Sequence, residues 1–160
     1  QGPGRRDDGV DQAGGAAWDA VGVIGPLPDA LRKAAVALWE ECGLTRPWND
    51  PRADLARALG GPSSTVLADV SPGGDLRGTA MVGHDGHRGW VYYLAVAPSE
   101  RGAGLGRELM AAAEAWVAER GIPKLMLMVR SSNTAVLGFY DALGYAVEET
   151  AVLSRWLDRS

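Results

Sequence analysis

The stretch from Trp90 to Arg107, W-V-Y-Y-L-A-V-A-P-S-E-R-G-A-G-L-G-R, leaves the chain few ways to fold around it. Trp90 to Ala97 is aromatic, β-branched and apolar, the composition of a buried strand, and Pro98 ends it. Gly102, Gly104 and Gly106 then alternate with Ala103 and Leu105, just before an apolar pattern of helical period. Glycines between a strand and a helix let the backbone curl so that successive N–H groups face one concavity. The first N–H groups of the helix lack partners within it, and the helix dipole adds positive charge there. Arg101 and Arg107 flank them, so the segment predicts an anion site suited to phosphate or pyrophosphate.

The ligand class is narrowed by what the glycines do not match. A P-loop requires Lys and Ser or Thr after its last glycine, whereas Arg107 and Glu108 follow Gly106. A dinucleotide fingerprint requires a third glycine three residues after its second, where Arg107 or Leu109 stands. The pattern that fits is R-x-x-G-x-G, Arg101 to Gly106. With its strand and helix it resembles motif A of the GNAT acetyltransferases, which hold the pyrophosphate of acetyl-CoA. The competing reading is a glycine-rich strand-to-helix connection with no ligand.

A second signature sits downstream. Asn133-T-A-V-L-G-F-Tyr140-D-A-L-Gly144-Tyr145 repeats the family's Asn, its Tyr seven residues on, and its Leu-Gly-aromatic ending. Order and spacing together make the resemblance specific from about Asp29 to Leu157. The segments L-W-E-E-C-G-L-T-R-P-W-N-D-P and G-H-D-G-H-R-G resemble the narrower YpeA-type bacterial acetyltransferases.

The resemblance implies an α/β (α+β) GNAT fold, a mixed and mostly antiparallel sheet of six to seven strands flanked by about four helices. The strand ending at Ala97 and a strand over Lys124–Val129 would run parallel and splay apart, with acetyl-CoA in the opening. Its pantetheine arm would bond to the backbone of Leu94, Ala95 and Val96. Arg101, Gly102, Ala103, Gly104, Leu105, Gly106 and Arg107 would take the pyrophosphate, and Asn133 would contact the cofactor arm. Tyr140 matches the tyrosine that protonates the departing thiolate. An amine would attack the thioester directly through a tetrahedral intermediate, with a backbone N–H near Val96 polarising the carbonyl. A phenol suits the acid's role, the unperturbed values of phenol and thiol being about 10 and 8.5. The alternative for Tyr140 is a core aromatic. Because Phe139 is its neighbour, one of the two must face away from the core, which favours the functional reading.

No general base is evident. Met128 stands where one branch of the family has Glu, and Trp90 to Ala97 contains no carboxylate. A water chain, Asp50, His87 or an acceptor of low pKa remain open. The family's reaction is N-acetylation of a small-molecule or peptide amine. The alternative is a catalytically silent acyl-CoA-binding domain used as a sensor or for interaction.

The rest of the chain frames these motifs. At 160 residues one core is expected without disulfides, with residues 1–17 a disordered lead-in or tag remnant and 18–160 a single acetyltransferase domain. A net charge of −4 argues against nucleic-acid or anionic-membrane partners. One cysteine and no ~20-residue apolar run suggest a cytoplasmic protein without a membrane span. Oligomeric state is open, a homodimer included.

Ala20–Ile24 is a weak first strand, and Asp29–Cys42 a helix with Leu31, Ala35, Leu38 and Cys42 on one face and Trp39 beside it. Cys42 reads as a small core residue with nothing nearby to lower its pKa. Asp50 before Pro51 reads as an N-cap. The loop holding Trp48, Asn49 and Asp50 is a candidate acceptor-binding wall, against the simpler reading that Trp48 packs the loop. Ser64–Val70 and Leu76–His84 form a hairpin, and turn residues 85–89 lead into the next strand. His84 and His87 lack a third ligand, so no metal is assigned. Leu105, Leu109, Ala112, Ala113, Trp116 and Val117 form a helical stripe, and Lys124–Val129 a strand buried on both faces. A helix from Asn133 to Leu143, with Ala135, Val136, Phe139 and Leu143 inward, precedes closing strands at Ala146–Glu149 and Val152–Leu157.

Overall fold

The computed structural model describes residues 23–159. The expected lead-in 1–17 and the first half of the expected first strand, Ala20–Gly22, lie outside the described residues. The chain divides into two compact units, one ending at Leu127 and one beginning at Met128.

The first unit holds one mixed five-stranded sheet of order β1-β2-β3-β4-β5. Its strands are β1 (Val23–Pro26), β2 (Ser64–Val70), β3 (Leu76–His84), β4 (Gly89–Val96) and β5 (Leu125–Leu127). The first four pair antiparallel in sequence order, and β4 pairs parallel with β5. Among the described residues three helices belong to this unit: α1 (Arg32–Glu41), α2 (Pro51–Leu59) and α3 (Leu105–Glu119). A 3-10 turn, Asp29–Leu31, leads into α1.

Alternation along β2 and β3 gives the sheet two apolar faces. On one, Ala35, Val36, Leu38 and Trp39 of α1 and Leu55 and Ala58 of α2 pack with Val66, Ala68, Met81 and Ala95. On the other, Leu105 and Leu109 of α3 close over Ala80, with Ile24, Leu94 and Val96 at the margin. The α3 stripe is as expected, with Met110 buried in addition and Ala112 only partly covered. A Cβ on Gly78 would lie 2.8 Å from Leu109 Cδ1 and 3.0 Å from the Ala95 carbonyl. Glycine is therefore what lets the first turns of α3 lie directly on β3.

Helix ends follow local chemistry. The Asp50 carboxylate accepts from the N–H groups of Arg52 and Ala53, with Pro51 at the first helical position. At the other end of α1, Gly43 (φ 69°) donates to the Glu40 carbonyl and Leu44 to that of Trp39. This paired geometry satisfies the last carbonyls of the helix, and it recurs after α3 at Gly121 and Ile122.

The second unit contains α4 (Thr134–Ala142), capped by the Asn133 side chain and closed by the same glycine geometry at Gly144 and Tyr145. Beyond it the expected strands at Ala146–Glu149 and Val152–Leu157 do not form. An extended segment gains little without a partner ladder or a covered face, and Val147, Val152, Leu153 and Leu157 are exposed. The sheet thus has five strands rather than six or seven.

A second correction concerns β5. It spans three residues rather than Lys124–Val129, and each is half-buried rather than enclosed. As the sheet's edge strand it has a pairing partner on one side only, so a continuous apolar run did not signify two-sided burial. Among the described residues no helix is long and apolar enough to cross a membrane.

Candidate functional site

The segment from β4 to α3 forms an open, glycine-built loop. The N–H of Ala97 donates to the Arg77 carbonyl at 2.8 Å, which holds the chain to β3 as it leaves the sheet. A 3-10 turn, Pro98–Glu100, then leads to Arg101. Gly102 and Gly104 both lie in the left-handed region, at φ 84° and 85°, a conformation costly for other residues. Arg101 to Gly104 are exposed, whereas Leu105 is buried and anchors the helix start. Gly104 caps α3 without any side-chain bond, and the N–H of Glu108 makes the first bond within the helix, 3.1 Å to the Gly104 carbonyl. The N–H groups of Leu105, Gly106 and Arg107 therefore precede any i−4 acceptor and face the loop end.

Two arginines near this loop are engaged by the scaffold. The Arg101 guanidinium donates to Cys42 Sγ at 3.6 Å, and the thiol donates to the Val96 carbonyl at 3.4 Å. A guanidinium therefore stands beside Cys42. Arg77 Nε donates to the buried Asp69 carboxylate at 2.6 Å. That bond, opposed by burial and aided by the charges of Asp69, Glu100 and Glu108, raises the Arg77 pKa further.

β4 changes direction just before Leu94. Its register against β3 slips: Met81 pairs with Tyr92 and Thr79 with Ala95, so Tyr93 and Leu94 together oppose Ala80. Tyr93 stands at φ 49°, which costs a non-glycine residue on the order of 1–2 kcal/mol. Pairing with β5 is confined to Gly89, Trp90 and Val91, so Tyr92 to Val96 have no ladder partner on that side within the sheet. The parallel pair is thus joined at one end only.

Four residues that sequence reasoning did not single out for function meet at this kink. The Tyr93 ring stacks on Trp39, centroids 4.0 Å apart and planes within 13°. Its hydroxyl donates to Asp54 Oδ2 at 2.8 Å, and Asp54 Oδ1 pairs with Arg57. Burial, then the bond to Asp54, pushes the Tyr93 phenol well above its ordinary value. Thr79 Oγ1 receives a bond from Trp39 Nε1 at 2.9 Å and donates to the Tyr93 carbonyl at 3.0 Å. No pattern in an apolar run marks a left-handed tyrosine. Asp54 reads from sequence only as a helix-start acid.

In the loop between α1 and α2, Arg46 donates to the carbonyls of Gly43 and Thr45, and the Asn49 N–H to that of Arg46. Trp48 is 47% exposed beside them. The Asp50 carboxylate is engaged as the N-cap of α2. Of the two histidines, His84 Nδ1 accepts from the Gly86 N–H and its ring lies 6.0 Å from that of Trp116. His87 is exposed in the turn that Asp85 organises. Backbone bonds from Arg88 and His87 hold the Asp85 carboxyl below the usual range. Among the described residues no three His, Cys, Asp or Glu side chains come together.

In the second unit Asn133 Oδ1 accepts from the Val136 N–H at 3.2 Å, which leaves its amide NH₂ as the group able to donate elsewhere. Tyr140 is the buried residue of α4, at 8% exposure, while Phe139 is half-buried and Ala135 exposed. Tyr140, rather than the expected Phe139, takes the buried place on this helix. The rings of Phe139 and Tyr145 meet Tyr140 edge-on at 5.0 and 5.7 Å. Burial pushes the Tyr140 phenol up to about 12. It therefore keeps its proton at neutral pH but is a weaker acid than an exposed phenol.

Comparison with known proteins places these features in a family. The pattern of the Acetyltransferase (GNAT) family matches residues 29–145. An acetyltransferase of Yersinia enterocolitica is 45% identical over 123 residues, 76% of this chain and 86% of its own. One from Pectobacterium atrosepticum is 43% identical over 126 residues, 78% and 88% of the two chains. Among solved structures, the aminoglycoside N-acetyltransferase AAC(6')-Iy, in complex with a bisubstrate analogue of CoA, superposes with a TM-score of 0.71. That match covers 84% of this chain and 97% of the other at 19% identity. An acetyltransferase of Trypanosoma brucei superposes at 0.65, with 21% identity over 84% of this chain and 99% of its own. These two likenesses concern the fold.

Proposed function

The chain belongs to the Acetyltransferase (GNAT) family, and from that premise we propose that it transfers the acetyl group of acetyl-CoA to a primary amine of a small molecule or peptide. The observation that carries the donor assignment is the loop Gly102–Gly106. Two left-handed glycines lead into a 15-residue helix whose N-cap makes no side-chain hydrogen bond. A pyrophosphate fits that surface in charge and in the space left by absent Cβ atoms.

In this reading Gly102, Ala103, Gly104, Leu105, Gly106 and Arg107 bind the pyrophosphate, and Arg101 borders it. The backbone of Leu94, Ala95 and Val96, on the part of β4 that β5 does not pair, receives the pantetheine arm as an added strand would be received. The bound donor supplies an activated acetyl thioester. Asn133 donates to the arm through its amide NH₂, and Tyr140 returns a proton to the thiolate. Trp48, Asn49 and Asp50 border the acceptor, Asp50 mainly by fixing the start of α2. The direct attack of an amine places the chief demand on alignment of two reactants rather than on a nucleophilic side chain.

A cationic acceptor suits a chain of net charge −4 that presents an exposed tryptophan. The aminoglycoside acceptor of the structural neighbour AAC(6')-Iy points the same way. The single cysteine fits a cytoplasmic location. The test is release of free CoA thiol from acetyl-CoA over polyamines, aminoglycosides, amino acids and peptide N-termini. Turnover with an amine supports the reading. Tight acetyl-CoA binding with no turnover across the panel would instead indicate a silent acyl-CoA-binding domain.

A further inference from the structure

We propose that Trp39, Thr79 and Asp54 clamp Tyr93 in its left-handed conformation and so aim the Leu94–Val96 backbone at the thioester arm of the donor, which makes Tyr93 a positioning residue for acetyl transfer. The inference rests on the acetyl-CoA reading above and adds side chains to it that the family motifs do not include.

A strained backbone persists where its surroundings over-determine it, and Tyr93 is fixed at three points. Its ring is stacked on Trp39, its hydroxyl donates to Asp54 Oδ2, and its carbonyl accepts from Thr79 Oγ1. The Thr79 hydroxyl has one proton. Trp39 Nε1 donates to that oxygen, so the proton is directed to the Tyr93 carbonyl. Trp39 and Thr79 are completely buried. An indole N–H and a hydroxyl in that core are tolerated because each is paired, and a strand serving only as scaffold would do as well with apolar residues at both places.

The clamp also spans elements. Trp39 is on α1, Asp54 on α2, Thr79 on β3 and Tyr93 on β4. Asp54 lies in the first turn of the helix that Asp50 caps. The helix leaving the Trp48 loop is thereby tied to the strand assigned to the donor. Leu94 follows the kink directly, so a relaxed Tyr93 would rotate the peptide groups on which the added-strand contact depends.

The experiment compares two ligands on two variants. Tyr93→Phe removes one oxygen and keeps the ring stack, whereas Thr79→Val removes the hydroxyl that joins Trp39 to the Tyr93 carbonyl. Calorimetry measures acetyl-CoA and adenosine 3′,5′-bisphosphate, the nucleotide part that lacks the arm. Each variant is expected to weaken acetyl-CoA about tenfold, the scale of one buried hydrogen bond. The bisphosphate should stay within about twofold of the unaltered protein. Asp54→Asn, whose amide oxygen can still accept from Tyr93, should lie closer to the unaltered protein than Asp54→Ala. Unchanged acetyl-CoA affinity in Tyr93→Phe, or an equal loss for both ligands, would overturn the clamp while leaving the donor assignment standing. Failure of the unaltered protein to bind acetyl-CoA would overturn the donor assignment itself, and the clamp's role with it.

Discussion

Gly104 shows how one residue can decide whether the loop forms. A Cβ there meets nothing within 4 Å, so its φ of 85° rather than crowding is what demands glycine. Gly104→Val should cost on the order of 1–2 kcal/mol of backbone strain and weaken acetyl-CoA binding at least tenfold. Gly104→Asn tolerates the left-handed region and should stay within about threefold. Equal losses in calorimetry would assign the effect to side-chain bulk over the phosphate instead. Tyr140 poses a different problem, because the burial that protects its proton also weakens it as an acid. With the phenol near 12, protonating a thiolate of ordinary pKa is uphill. If that transfer is coupled to thiolate departure, Tyr140→Phe should lower kcat by about 10²-fold and spare donor affinity. An unchanged kcat with chemistry rate-limiting would remove Tyr140 from the reaction. The same shift predicts a pH dependence of stability. The folded phenol titrates above the unfolded one, so its contribution is complete below pH ~10 and is lost as pH rises towards about 12. Urea titrations across that window should show a shallower loss in Tyr140→Phe than in the unaltered chain.

Between elements, α3 approaches β3 closely at Gly78. Gly78→Ala would bring a methyl to 2.8 Å from Leu109 Cδ1 and 3.2 Å from Leu105 Cδ2. Leu105 is the first residue of α3, so a backbone shift that relieves the contact moves the helix start that carries the candidate phosphate site. A loss of about 1–3 kcal/mol is expected in thermal or denaturant unfolding, with weaker acetyl-CoA binding. Full retention of both would mean that the helix start does not depend on this contact. The helices and their ends were legible in the sequence because each end is fixed locally: Asp50 and Pro51 start α2, Gly43 ends α1, and Gly121 with Pro123 ends α3. Strands β2, β3 and β4 were legible for a related reason, since the Pro-Gly-Gly and Asp-Gly turns mark their ends, whereas β1 runs to Pro26, beyond the expected end at Ile24. The rest depends on distant partners. Leu125–Leu127 looks like an enclosed strand until its place at the sheet edge is known, and residues 146–157 have strand composition without a strand to pair with.

The molecule as a whole joins a site readable from spacing to one that is not. Arg101–Gly106 and the Asn133–Tyr140 pair were recognisable because their order and intervals follow the family pattern. Tyr93, Trp39, Thr79 and Asp54 are scattered over four elements, and their meeting arises from folding rather than from any interval. The acceptor side is intermediate. Trp48 was identifiable as a loop aromatic without a periodic partner, and it is 47% exposed. Its neighbours Arg46 and Asp50 spend their polar groups on the loop and on the cap of α2. Stacking a cationic amine on an indole face contributes about 0.5–2 kcal/mol, and a net charge of −4 favours the same kind of acceptor. Trp48→Ala should therefore raise the acceptor KM by roughly 3- to 30-fold, leave acetyl-CoA affinity unaltered and shift the melting temperature little. The acceptor KM of the unaltered chain should also rise with ionic strength, as screening weakens attraction between an acidic protein and a cation. If Trp48 serves only to pack the loop, the variant should lose thermal stability at constant KM. Both quantities come from one variant, and a constant KM would remove Trp48 from the acceptor site.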